Sequence, residues 1–211
     1  MNALSLNRFL LVWTFSTFFL FISVASSRKD VLVLGGNGFL GSQTTTNLLE
    51  KGHNITLLSR GNTYYDSEKK IKPFISRHIV CDREKSLSLE CKELDEDRTN
   101  YDVVIDFSSY SPKQMLEMIK SLVGRVGLYV FTSTEAVYEV STKNHTKPTR
   151  EDEAARPISP RRRRKLQKEV PYGDQKLACE ELLEHQQKQG GFSFLILRLP
   201  IVIGPRDTTF R

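Results

Sequence analysis

Uncharged apolar runs alternate with amphipathic stretches along most of this chain. Val31-Leu-Val-Leu34 is the first run, and it ends at once in Gly35-Gly36-Asn37-Gly38. Others follow at His53–Ser59, around His78–Val80, at Asp102–Phe107, at Gly127–Thr132 and at Phe192–Ile203. Apolar runs that do not alternate with polar residues predict strands covered on both faces. Between them, Phe39–Lys51, Leu87–Asp97, Pro112–Leu122 and Tyr172–Gln189 predict helices. Pro112–Leu122 carries Met115, Leu116, Met118, Ile119 and Leu122 at helical spacing, and Tyr172–Gln189 is stopped by Gly190-Gly191. Residues 139–170, rich in charge and proline, predict a long exposed loop. Strands alternating with helices predict an α/β architecture, a doubly wound parallel sheet.

The glycines after the first strand turn this outline into a candidate site. Gly36, Gly38 and Gly41 have the G-x-G-x-x-G spacing, and Gly35, Gly38 and Gly41 also satisfy G-x-x-G-x-x-G. Glycine there allows a tight turn, close backbone approach to a pyrophosphate and close packing of the next helix on the strand. That helix would aim its free N–H groups and positive dipole end at the phosphates. The same residues suit a plain strand–turn–helix, and it is the strand and helix patterns on either side that favour a dinucleotide site. The second strand ends Leu57-Leu58-Ser59-Arg60-Gly61. It offers no acid to accept a ribose 2′-hydroxyl, as an NAD-selective site does. Arg60 can pair with a 2′-phosphate and stack on adenine, with Ser59 as a further donor. NADP(H) is therefore expected over NAD(H), the alternative being an Arg60 that faces solvent.

Length and composition bound the answer without choosing it. The 211 residues, 39% hydrophobic and 27% charged, suffice for one sizeable core and at most the start of a second domain. Residues 1–27 stand apart. Arg8 leads into the apolar Phe9–Val24, then into Ala25-Ser26-Ser27 and the charged Arg28-Lys29-Asp30, the order of a secretory signal. The run is shorter than the ~20 residues that span a bilayer, so a cleaved signal is expected, with an uncleaved anchor as the alternative. Either places residues 28–211 in the secretory pathway, lumenal, secreted or membrane-anchored. The sequons at Asn54 and Asn144 are compatible with a glycoprotein, Asn144 being the better acceptor. Cys81, Cys91 and Cys179 have no metal spacing, and no metal is expected. They are three ordinary thiols, or Cys81 and Cys91 are bridged in an oxidising compartment. The net charge of +6 is concentrated at Arg161-Arg162-Arg163-Arg164-Lys165 and Lys168. Such a run is a solvated loop or a patch for nucleic acid or an anionic membrane. The secretory signal argues against nucleic acid, and a membrane partner is expected only with a retained anchor.

Two further elements carry candidate chemistry. Tyr172 and Lys176 are four residues apart, on one face if helical. A phenol with a pKa of ~10 is a poor base at neutral pH. A Lys176 cation beside it would favour the phenolate and let Tyr172 exchange a proton with a substrate hydroxyl or carbonyl. Thr132-Ser133-Thr134 ends the strand before, at the carboxyl edge of the sheet where such folds place ligands. A hydroxyl there can hold the substrate oxygen beside Tyr172. The plainer readings are a surface pair and a capped strand end.

Taken together, the motifs resemble the extended short-chain dehydrogenase/reductase family, the NAD(P)-dependent sugar epimerases and dehydratases. The matches stand in family order: Gly35-x-x-Gly38-Phe39-Leu40-Gly41, Cys81-Asp82-Arg83, the Asp102–Ser108 strand, Phe131–Tyr138, Tyr172-x-x-x-Lys176 and Leu197–Pro205. The resemblance implies a Rossmann-type NAD(P)-binding domain. Gly35, Gly38, Phe39, Leu40 and Gly41 would contact the pyrophosphate. Asp82 and Arg83 would flank the adenine, and Phe107 with Ser108 would line the cleft. Thr134 matches the catalytic hydroxyl, Tyr172 the catalytic base, and Lys176 the residue that also holds the nicotinamide ribose. The implied reaction is hydride transfer from a nucleotide sugar or similar small molecule, and the implied assembly allows a homodimer. Asp106-Phe-Ser-Ser departs from the family's His-x-Ala-Ala type of segment and puts a carboxylate near the cleft. The family's carboxyl-terminal substrate domain is missing, so the chain is expected to be part of a longer protein or a shortened isoform, inactive alone if that domain is needed. The competing reading is a non-catalytic dinucleotide- or partner-binding module.

Overall fold

The structure, a computed structural model, describes residues 27–62, 64, 66–85, 91–141, 149–204 and 207. Six strands form one sheet: β1 (Asp30–Leu34), β2 (Asn54–Ser59), β3 (Arg77–Val80), β4 (Tyr101–Asp106), β5 (Val126–Thr134) and β6 (Ser193–Leu199). Their order is β3-β2-β1-β4-β5-β6 and every pairing is parallel. This is the doubly wound Rossmann-type arrangement, with its switch point between β1 and β4.

Alternation along β1 divides the core between the two faces of the sheet. Leu32 and Leu34 join Leu58, Val104, Met115, Met118 and Phe131 on one face. Val31 and Val33 join Ile55 and the partly buried Leu48 and Leu49 on the other. Residues 31–34 of β1 are all buried, which is why this strand reads as an unbroken apolar run.

The helices are α1 (Phe39–Glu50), α2 (Ser67–Lys70), α3 (Lys92–Glu96), α4 (Pro112–Leu122), α5 (Pro160–Glu169) and α6 (Pro171–Lys188). Helix α4 starts at a Ser111/Gln114 capping box followed by proline. It buries Met115, Met118, Ile119 and Leu122, at i, i+3, i+4 and i+7. Leu116 is turned off that stripe and is 39% exposed. Helix α3 is shorter than the acidic stretch suggests, and its expected start at residues 87–90 lies outside the described residues.

The expected loop over residues 139–170 is corrected by the structure. Glu151–Glu153 forms a 3-10 turn, and the basic run is helix α5, nearly three turns long. Ser159 accepts from the Arg162 N–H as its cap, Pro160 opens it, and Arg, Lys, Gln and Leu all propagate helix well. Charge hid a helix that the cap and the residue types allow. Coverage of the sheet is also less complete than expected, since Leu195 and Leu197 on β6 are 47% and 40% exposed.

Cys81 and Cys91 are disulfide-bonded, with Cα atoms 5.0 Å apart, while Cys179 is free and buried. The bridge ties the segment after β3 to the start of α3. The apolar run Phe9–Val24 and Asn144 lie outside the described residues. Among those described, no helix is long and apolar enough to cross a membrane. Asn54 is described, and its side chain donates to Asp30, which leaves it a poor glycan acceptor.

Candidate functional site

At the carboxyl ends of β1, β2, β3 and β4 lies a cleft of about 330 Å³. Gly35, Gly38, Phe39, Leu40, Gly41, Ser59, Arg60, Asp82, Arg83, Phe107 and Ser108 all line it. They meet there because each occupies a strand end, the turn that follows it or, for Phe39, Leu40 and Gly41, the first turn of α1. Helix α1 starts directly on the glycine turn. A Cβ on Gly41 would lie 2.3 Å from the Gly35 carbonyl oxygen, so only glycine lets the helix start this close. Thr45 Oγ1 donates to the Gly36 carbonyl at 2.9 Å and fastens the helix to the turn. The first N–H groups of α1, unpaired within the helix, thus belong to the cleft edge.

At the end of β2, Arg60 extends to solvent with its side chain 54% exposed and its Nη1 3.8 Å from Glu84. Exposed pairs at that distance contribute little, so the guanidinium remains available to a ligand. Ser59 is more engaged than its sequence position suggests. Its Oγ lies 2.9 Å from His78 Nε2 and accepts from the Gly61 N–H at 3.3 Å. Asp82 Oδ1 accepts from the Glu84 N–H at 3.1 Å, closing the turn after β3.

Arg83 touches the cleft, yet its guanidinium turns into the protein. Nη1 is 3.2 Å from Asp106 Oδ1 and 3.0 Å from Ser108 Oγ, and Nη2 is 2.5 Å from Ser109 Oγ. Tyr129 also donates to Asp106 Oδ2 at 2.6 Å. Burial alone would raise the Asp106 carboxyl. The Arg83 guanidinium and the Ser109 and Tyr129 hydroxyls more than offset that and hold it below the usual carboxylate range. The carboxylate that departs from the family pattern is therefore the partner of the arginine expected beside the adenine.

Thr134 and Tyr172 are brought together, and Lys176 is not placed as the sequence suggested. The Tyr172 phenol lies close enough to Thr134 for the threonine side chain to pull its pKa down. Thr134 Oγ1 accepts from the Ala136 N–H at 3.2 Å, capping the 3-10 turn Glu135–Tyr138. The residue after Tyr172 makes this approach possible. A Cβ on Gly173 would lie 2.3 Å from the Ala136 carbonyl oxygen, so α6 could not otherwise rest on that turn.

Burial pushes the half-exposed Tyr172 phenol above its ordinary 10.0, with the Thr134 side chain pulling the other way. The expected lowering by Lys176 does not occur. Lys176 is only 2% exposed, and its Nζ donates to the carbonyls of Ser109 at 2.9 Å and Thr132 at 2.6 Å. It lies 4.0 Å from the Phe131 ring centroid. Burial pulls its ammonium down from 10.5 to about 8, with Asp106 opposing. Residues four apart on one helix share a face, but they need not share an environment.

Several contributors went unread in the sequence. Tyr110 lines the cleft and has its ring centroid 5.6 Å from Lys176 Nζ, so it joins the cofactor side to the Tyr172 side. Its place just after Phe107-Ser108-Ser109, at the end of β4, was the available signal. Glu180 is buried, contacts the Ser133 hydroxyl and pairs with Arg198 at 2.8 Å. Arg198 Nη1 also donates to the Tyr138 hydroxyl at 3.0 Å. This network clamps both ends of the segment that carries Thr134. A second hollow of about 580 Å³ shares Phe39, Leu40 and Phe107 with the cleft and runs along the less covered face of β5 and β6.

The model of the NAD dependent epimerase/dehydratase family matches residues 31–211. The chain belongs to that family. Among curated relatives, a bifunctional UDP-glucose 4-epimerase and UDP-xylose 4-epimerase 1 of Pisum sativum is 27% identical over 190 residues, covering 78% of this chain and 49% of that protein. The chloroplast stem-loop binding protein of 41 kDa b of Arabidopsis thaliana is 29% identical over 159 residues, covering 69% of this chain and 38% of that protein. Among solved structures, the UDP-glucose 4-epimerase of Thermus thermophilus in complex with NAD superposes with a TM-score of 0.59. It is 23% identical, with 80% of this chain and 54% of that one covered, a likeness of fold. The chain spans about half the length of these proteins or less. Membership of the epimerase/dehydratase family implies a nicotinamide dinucleotide. The residues present fit one: the Gly35–Gly41 turn keeps the helix start open to a pyrophosphate, and the cleft continues to Tyr110, within reach of Lys176.

Proposed function

We propose that this chain is the cofactor-binding part of an oxidoreductase acting on a nucleotide sugar or a similar hydroxyl/carbonyl substrate. The observation that carries the proposal is the close packing of the α6 start on the end of β5, where Gly173 against the Ala136 carbonyl sets Tyr172 near Thr134, beside the cleft. A bound nicotinamide supplies the hydride acceptor or donor. Thr134 then holds the substrate oxygen, and Tyr172 moves its proton. Because burial favours the protonated phenol, the resting protein is set to give a proton to a carbonyl, and taking one from a hydroxyl is the reverse step. The epimerase names among the relatives support the substrate class.

The cofactor we propose carries a 2′-phosphate. The NAD complex of the Thermus enzyme shows what that protein binds; here β2 ends in Ser59-Arg60 with no acid, and Arg60 lines the cleft. We further propose a lumenal or secreted location. Supporting it are the signal-like order of residues 1–27 and the Cys81–Cys91 bridge, since such bridges persist in oxidising compartments.

The test is a panel of nucleotide sugars assayed for turnover, beside calorimetric cofactor titration, on wild type and Tyr172→Phe. Turnover should fall by roughly 10²-fold or more in the variant, with cofactor affinity unchanged. A protein that, with its substrate-binding part present, binds cofactor and turns over nothing is a dinucleotide-binding module, which has no need of Tyr172 beside Thr134.

A further inference from the structure

Helix α5 carries the densest charge of the molecule and nothing in the site uses it. Its residues are exposed except Leu166, which is partly buried against Val137, Val140 and Leu177. Arg161, Arg164 and Lys168, spaced i, i+3 and i+7, lie on the face opposite Leu166. None of the three has an ion pair among the described residues. Arg163 is turned inward to the Pro157 carbonyl at 3.1 Å, and Lys165 lies 3.7 Å from Glu169 at the edge of the stripe.

Beside this stripe stands Ile158, directly before the cap Ser159. It is 93% exposed, the most exposed large apolar side chain among the described residues. A solvated charged face has no use for it. Cations flanking a bare isoleucine suit a bilayer surface, where the cations meet anionic headgroups and the apolar side chain enters the interface. Nucleic acid fits less well. Residues 149–170 hold no aromatic ring on which a base could stack.

We infer that α5 and Ile158 form a docking surface for an anionic lipid bilayer. Val170 ends α5 and caps α6, whose first turn holds Tyr172. A bilayer seated on α5 therefore lies next to the Tyr172 end of the site, and substrate would be met at the membrane surface rather than from bulk solution.

The experiment is partitioning of the full chain onto vesicles of phosphatidylcholine with and without about a third phosphatidylserine, in roughly 0.1 M salt. Any contribution of the Phe9–Val24 run appears on both vesicles, so the ratio of the two partition coefficients reads the patch. The ratio should be on the order of 100 for wild type and approach 1 in Arg161→Glu/Arg164→Glu/Lys168→Glu at unchanged melting temperature. Ile158→Asp should lower binding to the anionic vesicles several-fold. Raising the salt to about 0.5 M should collapse the wild-type ratio as well, a readout that needs no variant. A wild-type ratio near 1, a ratio that survives the triple substitution or high salt, or tighter binding to a stem-loop RNA than to either vesicle overturns the inference.

Discussion

Arg83 and Asp106 form a buried ion pair that joins the turn after β3 to the end of β4, with side chains 5% and 0% exposed. Two strands that are not neighbours in the sheet are thereby held around the β1 end, where the glycine turn lies. Breaking one side of such a pair leaves an uncompensated charge in the core. Arg83→Met should cost about 3–5 kcal/mol, measured by urea denaturation. Asp106→Asn together with Arg83→Met should recover part of it, because the stranded carboxylate is gone. A single Arg83→Met variant as stable as wild type would mean that the pair contributes nothing.

Thr134 pulls the Tyr172 phenol down against the effect of burial. Thr134→Val should therefore move the phenol further up and reduce turnover by roughly tenfold or more, the worth of one hydrogen bond to a charged form. Thr134→Ser keeps the hydroxyl and should behave as wild type. The alkaline limb of the pH–rate profile is the measurement; if it stays put in Thr134→Val, the threonine hydroxyl does not tune the phenol.

A 2′-phosphate on the cofactor should gain a charge-assisted contact from Arg60, about 1.5–3 kcal/mol, or a preference of ten- to a hundredfold. Arg60→Ala should lose that preference while keeping NAD(H) affinity. The Glu84 pair at 3.8 Å is too long and too exposed to compete. Equal wild-type affinities for the two cofactors, read by calorimetry, would sink the assignment.

Lys176 makes stability rise with pH. Unfolded, it holds its proton to about 10.5; folded, burial releases it at about 8. Between those values the unfolded chain binds more protons, so folding gains as pH climbs. Below about 8 both states are charged and the full penalty, on the order of 3 kcal/mol, is present. The difference in unfolding free energy between wild type and Lys176→Met should therefore shift in favour of wild type by roughly 2 kcal/mol between pH 7.5 and 10. A flat difference would place the ammonium in water.

What the sequence yielded depended on whether one strand end or a pairing of distant ones was at stake. The cleft was legible because Gly35–Gly41, Ser59-Arg60, Asp82-Arg83 and Phe107-Ser108 each sit at a strand end, and a parallel sheet gathers strand ends along one edge. Where a side chain turns once there was not legible. Arg83 was read toward the ligand because nothing local reveals that Asp106, from another strand, takes its guanidinium. Lys176 was read toward Tyr172 from helical spacing, while the Ser109 and Thr132 carbonyls that hold it come from two other segments. The Cys81–Cys91 bridge is not fixed by the sequence because spacing alone does not set Cα separation. Helix α5 is hidden for a different reason: its cap at Ser159-Pro160 stands in the sequence, but the charge run beside it favours a solvated loop.

The place of β1 in the sheet also governs how the molecule assembles. Made first, β1 lies in the interior of the sheet, its Asp30 meeting Asn54 at a separation of 24 residues and Asp102 at 72. During synthesis at about 5–20 residues per second, several seconds pass between the pairing of β2 and the arrival of β4. For that interval the edge of β1 that β4 will cover stays open, with the unpaired backbone that invites association between chains. Long-range parallel pairing is slow to begin with. The stretch from Gly61 to Asn100 is thus where the pace of translation, or a chaperone, would decide how much of the chain reaches its native sheet.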